Sequence, residues 1–186
     1  MTQENNIYNT AHVLELMKSG KAPEFMFFWG HRAKPNTVTK ACFSQWWPSS
    51  FIVDGDVYAT AEHWMMAHKA KLFGANDIYT QILNHPEPGA AKGLGRKVEN
   101  FDPVIWDAEK FDIVVKGNLH KFQQNEALGK FLLATGDKVL VEASPVDAIW
   151  GIGLAQDHED ALLPSKWRGP NLLGYALMTV RDLIRG

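Results

Sequence analysis

The sequence predicts an α+β protein, mostly helical, in a single domain with a small antiparallel sheet. Three observations predict this. Segments with apolar residues at helical spacing cover most of the chain. The β-prone runs are few, short and scattered. The regular strand–helix alternation that a doubly wound dinucleotide fold needs is absent.

The elements follow in order. "TAHVLELMKSG", residues 10–20, reads as a short helix stopped by Gly20. "EFMFFWG" is an apolar strand. "FIVDGDVYAT" reads as a hairpin, two short β-prone runs around Asp54-Gly55. It leads directly into "TAEHWMMAHKAKLF", a helix with Thr60 as its N-cap. "HPEPGAAKGLGRKV" opens as a Pro-rich turn and becomes helical around residues 88–98. A long helix spans about 103–123, and "EALGKFLLATG" is another, stopped by Gly136. "KVLVEAS" is a strand. The last helix begins near Asn171, with Leu173, Leu177, Val180 and Ile184 on one stripe. No internal repeat, low-complexity segment or linker interrupts this order.

Composition bounds the function. The 186 residues are 46% hydrophobic and 22% charged, ordinary for a soluble globular chain long enough to bury a sizeable core. A formal net charge of −2 argues against a broad electrostatic nucleic-acid surface, though not against binding one nucleotide or a short segment. A single cysteine, Cys42, leaves no internal disulfide and no Cys-based zinc site. The polar start "MTQENNIYNT" is no signal peptide and no apolar run reaches membrane-spanning length, so a cytoplasmic protein is expected. Seven tryptophans can pack a core or offer flat surfaces to a ring-shaped ligand.

The Thr60 helix carries the first chemical signal. At roughly 100° per residue, Glu62, Met65, Met66, Lys69 and Phe73 fall on one face, while Trp64, His68 and Lys71 lie opposite. Glu62 in the first turn suits the helix dipole, which accounts for its charge but not for its apolar company. Lys69 stands two turns further along, about 10 Å away. A carboxylate and an amine on an apolar face are rare unless paired or functional.

Other motifs are weaker. His63 and His68 are five apart and diverge by roughly 140° on a helix, so they do not form a metal pair. "GLGRK" lacks phosphate-loop spacing, which leaves Gly93 and Gly95 as close-packing positions. Arg96 suits an anion or a solvated helix face. In "EASPVDAIWGIGL" a strand ends at Pro145, and Asp147 and Trp150 follow in a Gly-rich turn. There Asp147 is a functional carboxylate or a turn residue. "WRGPN" puts a Trp and an Arg just before a helix start, where free amides suit phosphate, or where Asn171 is an ordinary cap. Together these features suit a ligand with a ring, a sugar and a phosphate.

Four segments resemble the NADAR family, also called YbiA-like: "FSQWWPSSFIVDGDVYATAEHWMMAHKA", "AKGLGRKVENFDPVIWDAEKFDIVVKGNLHKFQQN", "LLATGDKVLVEASPVDAIWGIGL" and "WRGPNLLGYALMTVR". They stand in the family's order and cover nearly everything from about residue 25 onward. The resemblance implies a YbiA-like α+β domain over 25–186, preceded by a variable extension over 1–24. It implies N-glycosidase chemistry, needing no cofactor and no metal. The substrates implied are phosphorylated ribosylamino-pyrimidine intermediates of riboflavin synthesis, or ADP-ribose on bases, particularly guanine in nucleic acid. Glu62 and Lys69 match the family's E-H-x(5)-K helix, and Asp147 with Trp150 its D-x-x-W-G turn. Trp46 lies in its F-S-x-W segment, Trp106 in the segment after "FDPV", and Asn171 in its G-x-N-x-L-G segment. The insertion "LAQDHEDALLPSK" departs from the shorter enterobacterial type and bears on substrate identity.

On this reading Glu62, Lys69 and Asp147 are catalytic, with Glu62 in acid/base work and Asp147 as the second carboxylate. Trp46, Trp106 and Trp150 hold the base or sugar, and Arg96 or the Asn171 helix end holds the phosphate. Lys69 either forms an imine with the sugar or binds an anion. The alternative from another class is a binding module for NAD or ADP-ribose without turnover.

Overall fold

The computed structural model describes residues 8–32 and 37–186; residues 1–7 of the expected extension lie outside the described residues. The order is α1 (Thr10–Lys18), β1 (Phe25–Phe28), β2 (Phe51–Val53), β3 (Asp56–Tyr58), α2 (Ala61–Leu72), α3 (Asn76–Leu83), α4 (Pro88–Gly95), α5 (Pro103–Gln124), α6 (Glu126–Leu133), β4 (Val139–Glu142) and α7 (Leu172–Arg185). The α+β class holds. Contacts divide the chain into two compact units, Gln45–Gly129 and a second formed from Met1–Ser44 with Lys130–Gly186.

In the Gln45–Gly129 unit, β2 and β3 form the antiparallel hairpin, in register from Phe51 opposite Tyr58 to Val53 opposite Asp56. Its turn needs two positive φ angles, which Asp54 (51°) and Gly55 (88°) supply. The hairpin delivers the chain to α2, around which α3, α4 and α5 pack. Thr60 caps α2 through its hydroxyl, which accepts from the His63 amide. Burial on α2 is not confined to one face, because Ala61 through Ala67 and Ala70 are all buried. Trp64, expected opposite the buried side, donates its indole N–H to the Ile113 carbonyl of α5 at 2.8 Å. A helix surrounded by three others has no solvent face along its first two turns.

Glycines set how closely these helices approach. A Cβ on Gly117 would lie 2.3 Å from Trp64 Cδ1, and one on Gly95 would lie 2.2 Å from Met66 Sδ. Gly95 is thus the close-packing position expected. Gly93 is not, since a Cβ there would meet nothing within 4 Å. The helix expected to reach residue 98 ends at Gly95. Helix α3 is not among the expected elements: its N-cap is Ala75, with no side-chain capping bond.

In the other unit, β1 and β4 pair in parallel, from Phe25 opposite Val139 to Phe28 opposite Glu142. This second sheet was not implied by the strand pattern, because parallel partners far apart in sequence leave no local mark. Helix α7 lies on β4. A Cβ on Gly174 would sit 2.1 Å from the Leu140 carbonyl oxygen, so only glycine allows that approach. Helix α1 is joined to α7 by the Tyr8 hydroxyl donating to Asp182 and by Thr10 Oγ1 against the Tyr175 hydroxyl at 3.1 Å. The described part of the expected extension is therefore packed structure.

Candidate active site

Helix α2 starts with the carboxylate that the sequence singled out. Glu62 is 3% exposed. Its backbone amide, one of the first-turn donors without a helical partner, donates to the Gln45 carbonyl at 2.9 Å. Asn118 of α5 in turn donates from Nδ2 to Gln45 Oε1 at 2.8 Å and to the Val114 carbonyl at 2.9 Å. Gln45 thus ties the Glu62 turn to α5, and it also carries its neighbour Trp46. The Trp46 ring passes the start of α4, where a Cβ on Gly89 would touch it at 3.5 Å, and Lys92 Nζ stands 6.0 Å from its centre.

Two turns along α2, Lys69 reaches a second cluster. Its ammonium lies 4.2 Å from the centre of the Phe101 ring and 5.7 Å from that of Trp106. Loss of hydration lowers the Lys69 pKa below the ordinary lysine value, and the positive charge of Arg96 lowers it further. The structure therefore brings Lys69, Arg96 and Trp106 together, and it adds Phe101. Arg96 is the exposed C-cap of α4.

Helix α5 buries two further polar residues. Asn118 and Lys121 of α5 are both fully buried (0% exposed). They lie one turn apart and share the stripe of Phe111 and Val114, a polar break in an apolar face that helical spacing alone reveals. His63 and His68 keep separate partners. His63 lies between Thr60 Oγ1 and the His85 carbonyl, each at 2.8 Å, and His68 Nδ1 donates to the Trp64 carbonyl at 3.0 Å. Carbonyls only accept, so Nε2 of His63 and Nδ1 of His68 carry the protons. Burial lowers both pKa values.

A groove of about 590 Å³ lies between α3 and α4, lined by Asn84, His85, Gly93 and Lys97 among others. Its lining includes none of the predicted residues and no carboxylate.

Asp147, Trp150 and Asn171 belong to the other unit. Asp147 Oδ1 accepts from the amides of Ile149 and Trp150 at 2.9 and 2.8 Å, the geometry of a turn-forming aspartate. Asn171 is not the ordinary cap considered from sequence. Its φ of 56° is left-handed, and its side chain makes no capping bond. It is fully buried, donating from Nδ2 to the Leu140 carbonyl and accepting at Oδ1 from the Glu142 amide, each at 2.9 Å. Two of the amides at this helix start are engaged as well. Asn171 N donates to the Gly151 carbonyl and Leu173 N to that of Trp150. Such a helix start braces β4 and the 150–152 loop, with both polar atoms of the Asn171 side chain bonded to β4.

Comparison with known proteins agrees with this architecture. The family model described as the NADAR domain matches residues 27–185. The chain is 46% identical over 164 residues to N-glycosidase R617 of Acanthamoeba polyphaga mimivirus, covering 86% of this chain and 95% of that protein. It is 32% identical over 142 residues to the chloroplastic riboflavin biosynthesis protein PYRR of Zea mays, covering 72% of this chain but 21% of that protein. Its structure is similar to the NMR structure of the E. coli protein YbiA, with a TM-score of 0.70 and 26% identity over 88% of this chain and 86% of that one. On the match of residues 27–185 and the likeness to these relatives, the chain belongs to the NADAR family.

Proposed function

We propose that this protein is an N-glycosidase, a hydrolase of C1–N glycosyl bonds. The class is that of its named relatives, and the observation that carries it here is Glu62. A carboxylate 3% exposed, its turn held by Gln45 and Asn118, stands on the same helix as a partly desolvated lysine. Departure of the nitrogen develops oxocarbenium character at C1. In the balanced reaction the C1–N electron pair goes to nitrogen, which takes a proton, and water supplies the new C1–O bond and loses one. Glu62 is assigned these proton transfers. Trp46 and Trp106 are assigned to the base or sugar, and Arg96 to phosphate. Trp150 is proposed for the same ring-binding task. Asp147 is proposed as a second carboxylate through Oδ2, since Oδ1 is held by its turn.

Lys69 is proposed as a nucleophile that exchanges with the leaving amine at the opened C1 carbon. Desolvation supports this, because a lower pKa leaves more neutral amine. The imine formed is then hydrolysed by water, returning the lysine. Borohydride added during turnover is expected to leave a reduced sugar on Lys69, and none in Lys69→Arg, which keeps charge but cannot form the imine. No adduct together with substantial activity in Lys69→Arg would leave Lys69 as an anion binder.

The finer substrate reading is a phosphorylated ribosylamino-pyrimidine, supported by the likeness to a riboflavin biosynthesis protein. ADP-ribose on guanine is the competing substrate. The test is release of free sugar from each, compared at equal concentration. Faster release from the ribosylamino-pyrimidine phosphate is expected, and faster release from an ADP-ribosylated guanine oligonucleotide reverses the assignment.

A further inference from the structure

We propose that Phe101 is a positioning residue for Lys69: with Trp106 it forms an aromatic seat that holds the ammonium in place until substrate arrives. The proposal rests on the reading of Lys69 as a working residue. Among the described residues, two rings meet this ammonium and no ion pair does. The face of an aromatic ring attracts a cation within about 6 Å of its centre. Phe101, at 4.2 Å, is well inside that range, and Trp106, at 5.7 Å, is at its edge.

A third ring supports the seat. Phe73, four residues after Lys69 and at the end of α2, meets the Phe101 ring edge-on, with centres 5.4 Å apart and planes at 61°. The backbone on either side has a defined shape. Asn100 turns through a left-handed φ of 54°. Asp102 caps α5, its Oδ1 accepting from the amides of Val104 and Ile105. Phe101 is 42% exposed, so part of its ring is open to solvent.

The charges around Lys69 leave this role to the rings. From the end of α4, Arg96 repels the ammonium. On α2 itself, Lys71 turns away to lie over Tyr79 of α3 at 4.2 Å, and Glu62 is two turns distant. Asp56 of β3 is engaged by the Tyr79 hydroxyl at 2.5 Å. Phe101, just before α5, and Trp106, on α5 itself, present uncharged rings to the ammonium.

Competitive acetylation with acetic anhydride, read by peptide mass spectrometry, follows the proton on Lys69 without relying on activity. Phe101→Leu keeps apolar bulk and removes the π face. The pH midpoint of Lys69 labelling is expected to fall by about half a unit in Phe101→Leu and to stay in place in Phe101→Tyr. An unchanged or higher midpoint in the folded Leu variant overturns the seat, because the ring would then act only by excluding water. The pH profile of sugar release is measured on the same proteins. If it moves with the labelling midpoint, both the seat and the working role of Lys69 stand. If labelling moves and the profile does not, the seat stands and the role assigned to Lys69 falls.

Discussion

At the scale of single residues, Asp147 separates two tasks that one carboxylate can perform. Oδ1 accepts two amides and shapes the 147–150 turn, work that an amide oxygen also does. Asp147→Asn is therefore expected to melt within about 1 °C of the wild type, since exchanges that keep a structural contact change stability little. It is expected to bind ligand and to lose sugar release. Retained activity in that variant would assign Asp147 to the turn alone. Asp147→Ala, which removes the turn acceptor, is expected to lower the melting temperature, as lost caps cost about 1 kcal/mol. The same scale shows what a sequence exposes. Glu62 is legible because a charge interrupts an apolar spacing. Asn118 and Lys121 interrupt the α5 stripe in the same way, but no short motif draws attention to them. The engaged side chain of Asn171 is not legible, because its partners on β4 lie 29 and 31 residues away.

At the scale of elements, the contact between α2 and α5 holds the candidate site, and Gly117 permits it. The Trp64 ring cannot withdraw easily, because its N–H is bonded to Ile113. Gly117→Ala is expected to destabilise by about 1–3 kcal/mol, the usual cost of overpacking, with reduced activity. Gly93→Ala is the control. Its Cβ meets nothing within 4 Å, so the better helix propensity of alanine should stabilise by roughly 0.5–1 kcal/mol. Urea unfolding of both variants measures the contrast, and equal effects would contradict the packing described. The hairpin and the long helix could be read from sequence because Asp54-Gly55, Asp102 and Pro103 are local signals. Helix α3 lacks a capping side chain to mark its start, and the β1–β4 pairing depends on residues more than a hundred positions apart.

For the whole molecule, the buried His63 and the half-buried His68 tie stability to pH. The folded-state pKa values of His63 and His68 lie below the ordinary 6.5, chiefly through burial. Between the folded and unfolded values the unfolded chain binds more protons, so stability rises with pH across that window. The contribution is complete above about 6.5 and is lost as pH falls toward the folded values. The urea midpoint should be higher at pH 7.5 than at pH 5.5. His63→Gln, which cannot take up a proton, should show a smaller difference. An unchanged difference would mean that the pH dependence arises elsewhere.

The central claim is that the chain breaks a glycosyl bond through Glu62. Its most direct test is the rate of sugar release from ribosylamino-pyrimidine phosphate by the wild type and by Glu62→Gln, with folding of both confirmed by their melting curves. Glutamine keeps the shape of the side chain and loses the proton it transfers. The account predicts steady release by the wild type and a rate lower by about 10²–10⁴-fold in Glu62→Gln, the usual range for general acid–base help. Near-native release by a well-folded Glu62→Gln would contradict it.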